Sequence, residues 1–176
     1  MDNGILLTNF ELCDKLKAHK EGLQHFAFSV FLFNQKGELL LQKRAKQKYH
    51  SGSLWSNSCC SHFRNTKELN DKETTIKKRI EEELGIFVAT NVKDLHFVQE
   101  VKYSVNVGDL IENEHNFIYV GFLNGSVDDI DFNKNEVEDV AFVPFDDVKQ
   151  DVKNEQGKYT KWLEFILDNI VFNEML

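Results

Sequence analysis

The run His25-Phe26-Ala27-Phe28-Ser29-Val30-Phe31-Leu32-Phe33 constrains the fold more than any other stretch. It is apolar at nearly every position, so it reads as a buried strand. Asn34-Gln35-Lys36-Gly37 predicts a turn and Glu38 to Lys43 the returning strand of a hairpin. Lys46 to Leu54 reads as a polar loop. Asn70 to Leu84 predicts a helix, with Asn70 as N-cap candidate and Glu73 three residues on. Ile76, Ile80 and Leu84 give it an apolar stripe, and Gly85 is a stop signal. Leu95 to Val105, Glu112 to Leu123 and Val137 to Pro144 predict further strands. A last helix, about Lys158 to Asn173, carries Trp162, Phe165, Ile166 and Ile170. Strands interleaved with helices predict an α/β (α+β) architecture. One compact domain over residues 1–176 is expected, with mixed β-sheets flanked by helices.

Charge and cysteine usage narrow the function. The net charge of −8 argues against nucleic acid or an anionic membrane as partner. An anionic substrate then needs a locally basic pocket. Cys13, Cys59 and Cys60 are an odd number, two of them adjacent, and read as no disulfide framework. That points to a reducing compartment. Met1-Asp2-Asn3-Gly4 lacks the basic region of a signal peptide, and Phe26 to Phe33 is too short to span a bilayer. A soluble, cytoplasmic monomer is expected.

Two short motifs carry chemistry. In Ser56-Asn57-Ser58-Cys59-Cys60-Ser61-His62, Cys60 and His62 stand two residues apart, so on an extended backbone they share a face. Glu112-Asn113-Glu114 repeats the spacing with two carboxylates, and like charges on one strand face are tolerated best around a cation or a shared proton. Together they suggest acid–base chemistry around a metal ion. On the predicted helix Glu83 falls about 20° from Ile76 around the axis, beside the buried stripe. A carboxylate there is costly unless paired or metal-bound. An i,i+4 ion pair with Arg79 is the simple explanation of it.

Five motifs in register carry a resemblance. Ala18-His19, His25-Phe26-Ala27-Phe28-Ser29, Leu54-Trp55-Ser56-Asn57-Ser58-Cys59-Cys60-Ser61-His62, Glu83-Leu84-Gly85 and Ile111-Glu112-Asn113-Glu114 resemble the type I isopentenyl diphosphate isomerases of the Nudix superfamily. The similarity runs from about Lys15 to Trp162. It implies a metal site of His19, His25, His62, Glu112 and Glu114. Three imidazoles and two carboxylates suit Zn²⁺ or Mn²⁺. It implies Cys60 as catalytic thiol, with Glu114 as the second proton carrier. It places Glu83 on a Mg²⁺ that accompanies the substrate diphosphate. Lys15, Arg44, Lys48 and Arg79 match the family's diphosphate contacts. Tyr103 and Trp162 become the aromatic groups beside a carbocation, with Trp55 packing behind the cysteine loop. The substrate implied is isopentenyl diphosphate, isomerised to dimethylallyl diphosphate for isoprenoid synthesis.

The chain departs from the pattern at three places. Ser61 stands where glycine is usual, Phe63 where proline is common, and His19 and His25 are one residue closer together than expected. His50, His96 and His115 read as structural or surface histidines. The helix reads Lys78-Arg79-Ile80-Glu81-Glu82-Glu83, with Arg79 where the hydrolase signature has its first glutamate. That loss argues against a Nudix-type diphosphate hydrolase, the competing reading. A metal-binding Nudix homologue with reduced catalysis is the third reading.

Overall fold

The computed structural model describes residues 4–170. The chain opens with a ribbon of β1 (Gly4–Leu6) on β2 (Leu12–Asp14) and enters α1 (Lys15–Glu21). Asp14 caps α1, its carboxylate accepting from the Lys17 amide at 2.9 Å. The main sheet holds β3 (His25–Phe33), β4 (Glu38–Arg44), β5 (Trp55–Ser56), β6 (Cys59–His62), β7 (Val92–Val107), β8 (Leu110–Leu123) and β9 (Val137–Pro144). Its order is β5-β4-β3-β8-β7, with β6 also on β3 and β9 on β4. β3 and β8 run parallel and the other pairs antiparallel, so the sheet is mixed. Helices α2 (Thr66–Asn70), α3 (Lys72–Leu84), α4 (Val88–Asn91), α5 (Phe145–Asn154) and α6 (Lys161–Asn169) complete the fold.

β3 is buried at all nine positions because it has neighbours on both edges and a helix layer on both faces. Phe26, Phe28, Val30 and Leu32 point to the layer of α3, where Ile76, Ile80 and Leu84 close the core. Each of those three buried side chains contributes about 1.5–3 kcal/mol. Phe31 and Phe33 point the other way, to Val148 of α5 and Trp162, Leu163 and Ile166 of α6. The predicted α/β layering holds. Among the described residues no helix is long and apolar enough to cross a membrane.

Several boundaries differ from expectation. The α3 cap is Asp71, whose carboxylate accepts from the Thr74 amide, while Asn70 ends the preceding α2. The acidic side chain one residue on displaces the predicted Asn70–Glu73 box. The hairpin of β3 and β4 is nearly open, with Phe33 facing Leu39 as its one register pair. β3 instead pairs with β6 from Ala27 to Val30, so β4 and β6 diverge along one edge of it. The strand expected at Leu95 to Val105 is longer, Val92–Val107, with two register shifts. The last helix is shorter, Lys161–Asn169, and residues 171–173 of the expected span lie outside the described residues.

Candidate active site

Strand register builds the site. Across the sheet His25 faces Glu114, Ala27 faces both Asn116 and His62, and Ser29 faces Cys60. Tyr103 of β7 faces Glu114. With side chains alternating at period 2, one face of four neighbouring strands carries Cys60 and His62, His25, Glu112 and Glu114, and Tyr103. Small Ala27 and Ser29 leave the space between them. The last turn of α1 brings His19 over the same face, buried against it.

Three imidazoles converge on one carboxylate oxygen. The Nε2 atoms of His19, His25 and His62 stand 2.9, 3.5 and 3.6 Å from Oε2 of Glu112. The ligand atoms of this quartet all lie within 4.8 Å of one another. Their tautomers follow from the far side of the rings. His19 Nδ1 lies 2.6 Å from the Lys15 carbonyl oxygen and His25 Nδ1 2.8 Å from that of Leu23. A carbonyl only accepts, so both Nδ1 atoms carry hydrogen. That aims the Nε2 atoms inward, and His25 Nε2 is buried without a hydrogen-bond partner there. Such backbone-anchored imidazoles are the usual outer support of a metal centre. The residues therefore fit a divalent cation. Burial resists ionisation of Glu112, but its close contacts with the imidazoles of His19, His25, His50 and His62 hold it well below the usual carboxylate range. Burial pushes His62 below its ordinary value.

Glu114, predicted as a fifth ligand, stands beside this quartet. Its Oε1 is 3.1 Å from His62 Nε2 and 3.9 Å from His25 Nε2. Its Oε2 accepts from the Tyr103 hydroxyl and, at 2.7 Å, from Asn116 Nδ2. Asn116 also donates to Ser29 Oγ at 3.1 Å. Glu114 is thus held in a fixed network next to the cation site. Cys60 opens into the same cavity, and burial pushes its thiol up to about 11, so it holds its proton at neutral pH. Cys59 points to the other face, fully buried in the α3 core, with Sγ 3.7 Å from Glu83 Oε2.

A cationic neck leads in from outside. The inner cavity, about 40 Å³, is lined by Cys60, His62, Glu112, Glu114, Arg44 and Trp162 among others. A groove of about 640 Å³ adjoins it, and the two share Lys15, Lys48, Ser61, His62 and Arg79. Burial and the nearby Lys48 pull Lys15 down to about 8, with Glu112 opposing and Arg44 and Arg79 adding to the fall. The Arg44 guanidinium lies 5.0 Å over the Trp162 ring. Glu83 reaches the cavity from α3, where β4 and β6 diverge. Its Oε1 is 3.1 Å from Arg79 Nε and its Oε2 accepts from Gln42 Nε2 at 3.4 Å. Glu83 is paired with Arg79, as the ion-pair reading expects, and it also lines the cavity. Ser61 costs the backbone nothing, because its φ is not positive, and its hydroxyl accepts from Arg79 Nε at 3.1 Å.

Two residues were missed. His50, read as structural or surface, is buried in the cavity wall with Nε2 2.7 Å from Glu112 Oε1. Tyr49 is exposed at its ring but places its hydroxyl 3.3 Å from His19 Nε2. No spacing in the sequence ties either to the site. The fold of the 46–54 loop brings them in.

The fold is that of a Nudix domain, and its His/Glu cluster could hold a metal ion. The NUDIX domain family model matches residues 23–163. A solved chain from Deinococcus radiodurans aligns with a TM-score of 0.66 over 94% of this chain and 96% of its own, at 13% identity. At that identity the likeness shows the fold alone. An isopentenyl-diphosphate delta-isomerase of Gibberella zeae is 34% identical over 97% of this chain and 71% of its own length. An isopentenyl-diphosphate Delta-isomerase of Aromatoleum aromaticum is 38% identical over 89% of this chain and 83% of its own. One from Burkholderia multivorans is 44% identical over 66% of this chain and 62% of its own. The chain belongs to the isopentenyl-diphosphate Delta-isomerase family of NUDIX-domain proteins.

Proposed function

We propose that this protein interconverts isopentenyl and dimethylallyl diphosphate, with Cys60 and Glu114 as the two proton carriers. The observation that carries the reading is their meeting at one narrow cavity, beside the converging imidazoles and behind a neck of cations. Lys15, Lys48, Arg44 and Arg79 take the diphosphate at the neck, which leaves the five-carbon chain pointing inward at Cys60 and Glu114. The inner cavity has room for about one water, so the Trp162 and Tyr49 rim parts when the substrate enters.

One carrier adds a proton to the terminal alkene carbon and the other removes one from C2. The same pair runs the reverse direction with the roles exchanged. Tyr103 and Asn116 fix the Glu114 carboxylate at the cavity and hand it a ready hydrogen-bond path. Arg44 and Lys48 lie close enough to steady Cys60 when it gives up its proton. The Trp162 ring lines the cavity where a carbocation would develop, while Tyr103 packs its ring on Phe165 and reaches the site through its hydroxyl on Glu114. His19, His25, His62 and Glu112, with Glu114 alongside, would hold a divalent ion, which when bound would supply the polarisation that alkene protonation demands. Zn²⁺ or Mn²⁺ suits this nitrogen and oxygen set, and Glu83 is the residue that would hold Mg²⁺ arriving with the diphosphate. We read the working unit as a single-domain cytoplasmic monomer.

The register of the two cysteines gives the test. Cys60→Ala is expected to lower kcat by about 10²- to 10⁴-fold, the usual worth of a proton-transfer group. Cys59→Ala, which removes a sulfur from the far core, is expected to keep most of the rate and to lose on the order of 1 kcal/mol of stability. The reverse pattern contradicts the assignment. Phosphate release that is indifferent to Cys60→Ala would instead mark a diphosphate hydrolase.

A further inference from the structure

We propose that His50 is a positioning residue of the metal centre. It braces the outer oxygen of Glu112 and ties that ligand to the diphosphate-binding Arg44. The proposal rests on the reading that His19, His25, His62 and Glu112 hold a divalent ion.

Glu112 has two oxygens with different neighbours. Oε2 faces the three convergent imidazoles, and Oε1 has His50 Nε2 at 2.7 Å. His50 is outside the quartet that converges on one point, so it addresses the carboxylate and not the ion. Its Nε2 is fully buried, and the contact with Oε1 is short but out of line for a good hydrogen bond. Contacts of this kind tighten when the site is filled. A ligating carboxylate whose free oxygen is held loses less freedom on metal binding, which is the general work of outer partners.

The loop around His50 is built to one shape. Ser51 and Ser53 both have positive φ, 51° and 60°. A Cβ on Gly52 would stand 2.5 Å from the Lys46 carbonyl oxygen, so only glycine fits between the two serines. Strained backbone persists where its surroundings over-determine it, and it gathers at functional sites. His50 Nδ1 lies 3.0 Å from Ser51 Oγ. The imidazole is wedged edge-on against Trp162 and Tyr49, with centroids at 5.8 and 4.2 Å. The His50 carbonyl accepts from Arg44 Nη2 at 3.4 Å. One residue thus touches a metal ligand through its side chain and a diphosphate ligand through its backbone.

The test compares Co²⁺-loaded wild-type, His50→Phe and His50→Gln chains. Affinity is read by competition with a chromophoric chelator, and the visible absorption of bound Co²⁺ is recorded alongside. Phe keeps the ring packing on Trp162 and Tyr49 but has no nitrogen for Glu112. His50→Phe is expected to weaken Co²⁺ binding about 10- to 100-fold and to shift the visible band. His50→Gln, whose amide can donate to the same oxygen, is expected to recover most of the affinity and the wild-type band. If His50→Phe does not fold, His50→Asn, too short to reach Glu112, takes its place with the same expectation. Wild-type affinity and an unshifted band in the Phe or Asn variant overturn the role of His50 alone. A wild-type chain that takes up no Co²⁺ overturns the ligand reading and His50 with it.

Discussion

Lys15 holds a charge that the folded chain does little to satisfy. Its amine sits over the Tyr49 ring among Lys48, Arg44 and Arg79, and burial with those neighbours brings it to about 8. A lysine in water titrates near 10.5, so between pH 8 and that value the unfolded chain binds a proton that the folded chain has released. Stability from this group therefore rises with pH across the window. An anion at the neck reverses the balance, because it favours the charged amine. Inorganic diphosphate is expected to bind wild-type protein more weakly as pH climbs through 8. Lys15→Arg, which stays charged, is expected to lose that dependence; a titration calorimetry series showing equal slopes for both proteins contradicts the placement of Lys15 at the neck.

At the scale of elements, helix α3 carries the clearest local rule. It ends at Gly85, which has φ 65° and whose added Cβ would lie 2.3 Å from the Asp131 carbonyl oxygen. Gly85→Ala meets both the left-handed penalty, about 1–2 kcal/mol, and that clash. A fall in Tm of roughly 2–8 °C is expected from the left-handed penalty alone, and an unchanged melting curve contradicts it. This end of α3 was legible in the sequence, as were the long strands, because stripes and alternation repeat often enough there to be seen. The paired spacings of Cys60/His62 and Glu112/Glu114 were legible for the same reason, since period 2 alone puts each pair on one face. Short α1, of seven residues, offers too few repeats for a pattern to show. α5 left a fainter signal that went unread: Pro144, then Asp146 and Asp147 in the first turn, with Val148 and Val152 four apart. His50 left none. It reaches Glu112 through a loop of positive-φ serines and a partner 62 positions away in the chain, which only tertiary structure brings together.

For the whole molecule, the parallel pairing of β3 with β8 is what makes a site of scattered residues. It sets His25 beside Glu114 across 89 positions of sequence, while β6 adds Cys60 and His62 from the other edge. The helix layers then divide the labour. α6 contributes Trp162 to the cavity wall, and α3 contributes Arg79 and Glu83. The two adjacent cysteines fall on opposite faces of this arrangement, one in the cavity and one in the core. The most direct measurement is NMR of isopentenyl diphosphate incubated with the protein in D₂O, with Mg²⁺ and Zn²⁺ or Mn²⁺ present. Dimethylallyl diphosphate carrying deuterium in a methyl group is expected, which no hydrolysis gives. Unchanged substrate, or released phosphate in place of the isomer, would contradict the isomerase assignment.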